Sequence, residues 1–266
     1  MAAIAVLTRD RSTDQAIRYA LAADHALVCL ASWSRLEWMV RERPVTVTII
    51  DGLALPRRNP AGAMLSILER YPSVATVLVA REEMDRALLF RLGRAGLAGL
   101  VLLELDGLVR ELPRAVRRSL RESTDSVVTR VVSPSLPRRE ATAIRMAVEG
   151  VQRGWRTDDV ASAMGLTRAH LSVRLRTWGL PPTGHLVTWA RLFHAGRWIL
   201  DPGRTAESVS RQLDYSSGAA FRRVLRSYVG VTPTELRSAG GLRPVLESFL
   251  EACDLDVHPR AVRSVA

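Results

Sequence analysis

The sequence predicts an α/β domain on a doubly wound five-stranded parallel sheet, followed by an all-α domain in which two helix-turn-helix units are joined by a long helix. Three observations carry this prediction. Over residues 1–122, five short runs of Val, Ile, Leu and Ala alternate with amphipathic stretches. The strand signal then stops, and residues 138–238 show helical periodicity alone. Within that segment, one pattern of caps, turn and apolar stripe occurs twice.

The five runs are Ala3–Leu7, Ala26–Leu30, Val45–Ile50, Val74–Ala80 and Gly99–Leu103. They are almost continuously apolar, as strands covered on both faces require. Helical patterns fall between and after them, near 12–22, 33–42, 60–70, 83–95 and 107–121. Five strands alternating with five helices form an open sheet with helices on both faces. Residues 123–137 are rich in Ser, Thr and Pro and read as a linker. Residues 239–266 open on Gly240–Gly241, continue as a short amphipathic helix near 242–252 and end loosely. At 266 residues the chain has room for about two domains.

The basic side chains number 38 against 27 acidic ones, and all 38 are arginine. Codon usage is the ordinary source of such a bias. Its consequence holds regardless: chemistry that needs a lysine amine is excluded, from a phosphate-loop lysine to a Schiff base. The excess is uneven, because residues 138–243 hold 17 arginines against 8 acids, +9 of the net +11. A basic all-helical segment is the electrostatic footprint of a nucleic-acid binder, and arginine suits forked contacts to phosphates and base edges. Cys29 and Cys253 lack the spacing of a disulfide framework or zinc site, and the five histidines show no ligand spacing. No metal or cofactor is expected. No apolar run approaches 18 residues and the N-terminus lacks a secretory pattern, so a soluble cytoplasmic protein without membrane contact is expected.

The repeat spans 157–179 and 205–230. Thr157 and Thr205 stand as N-caps, with Asp158, Asp159 and Glu207 in the first turns, where the helix dipole favours acids. Val160 and Met164 recur as Val209 and Leu213, an offset of 49. Short turns follow, in which Thr167 and Ser216 can cap the next helices. There, Leu171, Leu175 and Trp178 form a buried stripe repeated as Phe221, Leu225 and Tyr228 at an offset of 50. The opposite faces carry Arg168, Ser172 and Arg176 in one helix and Gly218, Arg222 and Arg226 in the other, with Arg223 alongside. A helix anchored by its apolar stripe, with small and arginine residues outward, fits a major groove. Two such helices can enter successive grooves about 34 Å apart. The competing reading is a plain helical bundle with solvated arginine faces.

Residues 138–238 resemble the DNA-binding domain of AraC/XylS-family transcription regulators, most closely over DYSSGAAFRRVLRSYVGVTPTELR at 214–237. Asp214 stands for the family's usual glycine, and Tyr215 and Leu225 for its usual phenylalanines. The first recognition helix falls one residue short before Gly179. The resemblance implies base contacts at Ala169, Ser172, Val173, Gly218, Ala219, Arg222 and Arg223. It implies phosphate contacts at Arg168, Arg176 and Arg226.

Residues 1–122 resemble a response-regulator receiver in pattern more than in motif. Asp51 follows the third run directly and ends the third strand, where such domains carry the phosphorylated aspartate. The family's acid pair after strand one is replaced by Thr8 and Arg9, with Asp10 nearby; its hydroxyl residue by Ala80; its lysine by Leu103. Phosphoryl transfer to a carboxylate needs cations to neutralise the developing charge. Asp51 is therefore expected to be a vestigial phosphoacceptor that caps a loop or pairs with an arginine, and the domain a pseudo-receiver for signal input or homodimerisation. Together these features predict a non-enzymatic, sequence-specific transcription regulator whose partner is double-stranded DNA, and they name no effector. Two alternatives stay open: an adaptor with weak non-specific DNA binding, and a response regulator phosphorylated at Asp51.

Overall fold

A computed structural model describes residues 3–81, 83–103 and 107–255. The chain end beyond 255, expected to be loose, lies outside them. The chain divides into two compact units, Met1–Ser123 with Asp201–Gly203, and Thr124–Leu200 with Arg204–Ala266. Among the described residues, no helix is long and apolar enough to cross a membrane.

The first unit runs β1 (Ala3–Leu7), α1 (Arg11–Leu21), β2 (Ala26–Leu30), α2 (Trp33–Glu42), β3 (Val47–Asp51), α3 (Pro60–Arg70), β4 (Ala75–Ala80), α4 (Arg86–Arg94), β5 (Gly99–Leu102) and α5 (Leu108–Leu120). The sheet order is β2-β1-β3-β4-β5, and every pair is parallel. Alternate side chains feed two separate cores, as the two-residue period of a strand dictates. Ala5, Leu7, Ile50 and Leu78 pack with Leu36, Val40, Met64 and Ile67 of α2 and α3. Ile4, Val6, Ile49, Val77 and Val101 pack with Ile17, Leu21, Leu112 and Val116 of α1 and α5. The central strands are buried as expected, whereas β2 and β5, at the sheet edges, are partly exposed. Helix starts follow local chemistry: Asp10 caps α1, Ser32 caps α2, and Asn59 caps α3 with Pro60 behind it.

The second unit contains α6 (Thr124–Val132), α7 (Arg138–Val151), α8 (Thr157–Ala163), α9 (Arg168–Thr177), α10 (Thr183–Trp198), α11 (Ala206–Gln212), α12 (Gly218–Val229), α13 (Pro233–Ser238) and α14 (Leu242–Ala252). The expected linker at 123–137 is corrected here. Residues 124–132 form a helix whose Val127, Val128, Val131 and Val132 are buried in the helical core, and a short 3-10 turn follows at Ser133–Ser135. Ser, Thr and Pro had disguised an apolar face at i, i+1, i+4 and i+5. At the other end, α14 joins the same core through Val245, Leu246 and Phe249.

The central element is α10, with 11 of its 16 residues buried, as a helix apolar on most sides must be. Trp189 and Phe193 of α10 meet Phe249 of α14 edge-on, with ring centroids 5.4 and 5.3 Å apart. Close approach is needed where α14 begins: a Cβ at Gly196 would stand 2.8 Å from Leu242 Cα, so only glycine fits there.

Candidate nucleic-acid interface

The two repeats fold as two helix-turn-helix pairs, α8–α9 and α11–α12. Both turns use one device. Gly165 and Asp214, 49 residues apart, adopt left-handed φ angles of +67° and +55°. The next residue, Leu166 or Tyr215, donates its N–H back to Ala161 O or Ser210 O, both at 3.0 Å. This is the Schellman closure, which satisfies carbonyls the ending helix leaves open. Thr167 then caps α9 at once, accepting from His170 N. In the second repeat Ser217, not the expected Ser216, caps α12 by accepting from Ala220 N at 3.1 Å. Ser216 is thus the extra residue that changes the repeat offset from 49 to 50.

At the start of the repeats, Thr205 is the cap that was expected and shares a reciprocal bond pair with Ser208. Thr157 is not its counterpart. The carboxylate of Asp159 accepts from Arg156 N at 2.7 Å, and Thr157 already lies inside α8. The apolar stripes also diverge. Leu171, Leu175, Phe221 and Leu225 are buried, but Trp178 is 45% exposed. The first recognition helix ends at Thr177, Gly179 takes φ +71°, and buried Leu180 replaces Trp178 under the helix.

Each recognition helix is tied to α10. Ser172 Oγ and Thr183 Oγ1 are hydrogen-bonded at 2.9 Å, and Ser172 Oγ also accepts from Thr183 N. Tyr228 Oη and His185 Nδ1 are hydrogen-bonded at 2.7 Å, and the Tyr228 ring meets Trp189 edge-on at 5.1 Å. One rigid helix thereby sets the placement of both reading heads.

The expected contact residues divide accordingly. Arg168, Ala169, Val173 and Arg176 are exposed on α9, and Ala219, Arg222, Arg223 and Arg226 on α12. Val173 stands out most clearly, at 60% exposure. Ser172 does not share that face: it is half-buried, and its hydroxyl is engaged by Thr183. Gly218 is buried, because the Glu207 side chain covers it. The point where a Gly218 Cβ would stand is 2.0 Å from Glu207 Oε2 and 3.4 Å from Arg222 Nη1. Ser172 and Gly218, expected on the outward faces, thus lie apart from the other expected contact residues: Ser172 fastens α9 to α10, and Gly218 lies beneath the Glu207 side chain. Glu207, expected only as a first-turn acid of α11, also stands at the tip of α12 near Arg222, a placement that no single-helix wheel displays. Behind α9, Arg174 lies 3.9 Å from the buried Glu140 of α7.

In the first unit, Asp51 is 1% exposed at the end of β3. Its Oδ2 accepts from Thr8 Oγ1 at 2.8 Å and its Oδ1 from Leu53 N at 3.0 Å. Both oxygens thus have neutral donors, and the exposed Arg9 is not among them. Asp10 is committed as the α1 cap. Its carboxylate accepts from Ser12 Oγ, Thr13 Oγ1 and Thr13 N, and these bonds hold its pKa at about 2.

Residues 160–239 match a protein family described as a helix-turn-helix domain. No curated protein matches the chain in sequence. Similar solved structures include a response regulator from Thermotoga maritima (16% identity, 45% of this chain and 98% of that one, TM-score 0.39). Two others are full-length FixJ from B. japonicum (12%, 84% and 95%, 0.41) and the RcsB response regulator of Salmonella typhimurium (14%, 71% and 98%, 0.38). Residues 160–239 are accordingly a helix-turn-helix DNA-binding domain of the AraC type, preceded in the chain by a five-stranded doubly wound α/β unit.

Proposed function

We propose that the protein is a sequence-specific transcription regulator that reads two successive major grooves with α9 and α12. The observation that carries this reading is the duplicated helix, Schellman turn and capped recognition helix, with arginines on both exposed faces and both helices fastened to α10. Arg222 and Arg223 read guanine, because a guanidinium fork matches O6 and N7. Ala169, Val173 and Ala219 meet base edges by apolar contact, and Arg168, Arg176 and Arg226 hold phosphates. The first unit acts as an input or homodimerisation module without phosphorylation. The neutral donors on both Asp51 oxygens and the commitment of Asp10 to a helix cap support that part. Selection of binding sites from random duplexes by the purified protein tests the DNA reading: two half-sites about one helical turn apart are expected, and enrichment of no motif overturns it. Incubation with acetyl phosphate and Mg²⁺ tests the second part, where a stable Asp51 adduct is the contrary result.

A further inference from the structure

The α/β unit carries an arginine stripe of its own. Helix α5 and its C-terminal residue present Arg110, Arg114, Arg117, Arg118 and Arg121, all exposed. At 100° per residue these five lie within an arc of about 100° and along about 16 Å of helix. The opposite face is buried in the unit's core through Leu108, Leu112 and Val116. The only acid of the helix, Glu111, bridges Arg110 at 3.1 Å and Arg114 at 2.6 Å. The stripe also accounts for the net positive charge of the unit. Residues 1–123 with 201–203 hold 18 arginines against 15 acids, and outside 108–121 the balance is 13 against 14. The whole positive excess is therefore concentrated on one face of one helix. The helix dipole favours cations in a last turn, which covers Arg117, Arg118 and Arg121 but not Arg110 or Arg114.

We infer that α5 is a phosphate-binding surface for duplex DNA, so that the first unit adds backbone contacts to those of the helix-turn-helix unit. The chemistry of the stripe selects this partner. Protein interfaces keep charge out of their centres and anchor on apolar groups, whereas Val109 is the one exposed apolar side chain on α5. A membrane would need the apolar face of the helix, which is already buried in the unit's core. Arginine forks suit phosphate oxygens, and such contacts position a protein on DNA without reading sequence. Covalent continuity strengthens the case: the chain passes from the first unit to the second at Ser123–Thr124, so DNA held by the second unit is at high effective concentration for α5.

This inference rests on the DNA-binding reading, and the experiment separates the two. The full-length chain and the variant R117Q/R118Q/R121Q are titrated against a fluorescein-labelled 40-base-pair duplex of mixed sequence between 50 and 200 mM salt. Each phosphate contact contributes about 0.9 to the slope of log affinity against log salt. The variant is expected to lose up to about 2.7 of that slope, so the wild-type chain weakens about 40-fold more over this range. R117K/R118K/R121K, which keeps the charge, is expected to retain the wild-type slope and also shows that the site tolerates substitution. Site selection with the glutamine variant should return the wild-type motif. An unchanged slope in a variant that still binds DNA overturns the α5 surface alone. No binding by the wild-type chain at any salt overturns the DNA reading beneath it.

Discussion

Exchanging residues between the two turns tests whether they are physically equivalent. Gly165 and Asp214 both hold left-handed φ angles, +67° and +55°. That conformation costs a residue bearing a Cβ roughly 1–2 kcal/mol. A Cβ at Gly165 would meet nothing within 4 Å, so Gly165→Ala adds the backbone cost without a clash. Restricting the unfolded chain returns about 0.4–1 kcal/mol. The net expectation is a loss centred on ~0.8 kcal/mol and no larger than ~1.6 kcal/mol, or about 3 °C in the midpoint of the helical unit. Asp214→Gly runs the other way: relief of strain offsets the added freedom of the unfolded chain, and stability stays within about 0.5 kcal/mol of the parent. Thermal melts followed by tryptophan fluorescence suit this comparison, because Trp155, Trp178, Trp189 and Trp198, four of the six tryptophans, lie in the helical unit. An unchanged or raised midpoint for Gly165→Ala, or a larger loss for Asp214→Gly, refutes the equivalence.

Three further outcomes follow from the cores and the strand-end aspartate. Burial, opposed by the bond from His194 Nε2 to Val148 O, holds the His194 imidazole below its ordinary 6.5. The unfolded chain therefore takes up a proton near pH 6.5 that the folded chain refuses, and the helical unit should lose stability as pH falls below about 6.5. Urea midpoints across pH 7.5 to 5 check this, and His194→Gln should flatten the profile. Phe249→Ala removes the ring that meets both Trp189 and Phe193; a loss of about 3–5 kcal/mol is expected by denaturant unfolding. Thr8→Val leaves the buried Asp51 Oδ2 without its hydroxyl donor. It should destabilise the α/β unit by about 1–3 kcal/mol, measured by hydrogen exchange of the β1 and β3 amides.

The sheet was legible because each strand is a short apolar run with a clear end: the expected Ala3–Leu7 and Ala26–Leu30 coincide with β1 and β2, and Asp51 does close β3. The paired helices were legible because caps, turns and stripes repeat together. What escaped the sequence depends on contacts between elements. Helix α6 hid behind the Ser, Thr and Pro of 123–137, although its four valines already traced one helical face. Ser172 and Gly218 seemed outward on a helical wheel, yet each is covered by a residue eleven positions away in sequence, Thr183 and Glu207. Trp178 left the stripe because Gly179 ends its helix early. Periodicity reports which face of a helix is apolar; it does not report which neighbour crosses the polar face.

The central claim is that the exposed arginines of α12 read bases. The most direct test compares the binding-site motifs selected by the full-length protein, Arg222→Ala and Arg223→Ala, with affinities for the wild-type site measured at one fixed salt concentration. A loss of about 1–3 kcal/mol is expected for each variant, with preference relaxed at one guanine and the rest of the motif kept. Unchanged affinity and an unchanged motif in both variants would contradict it.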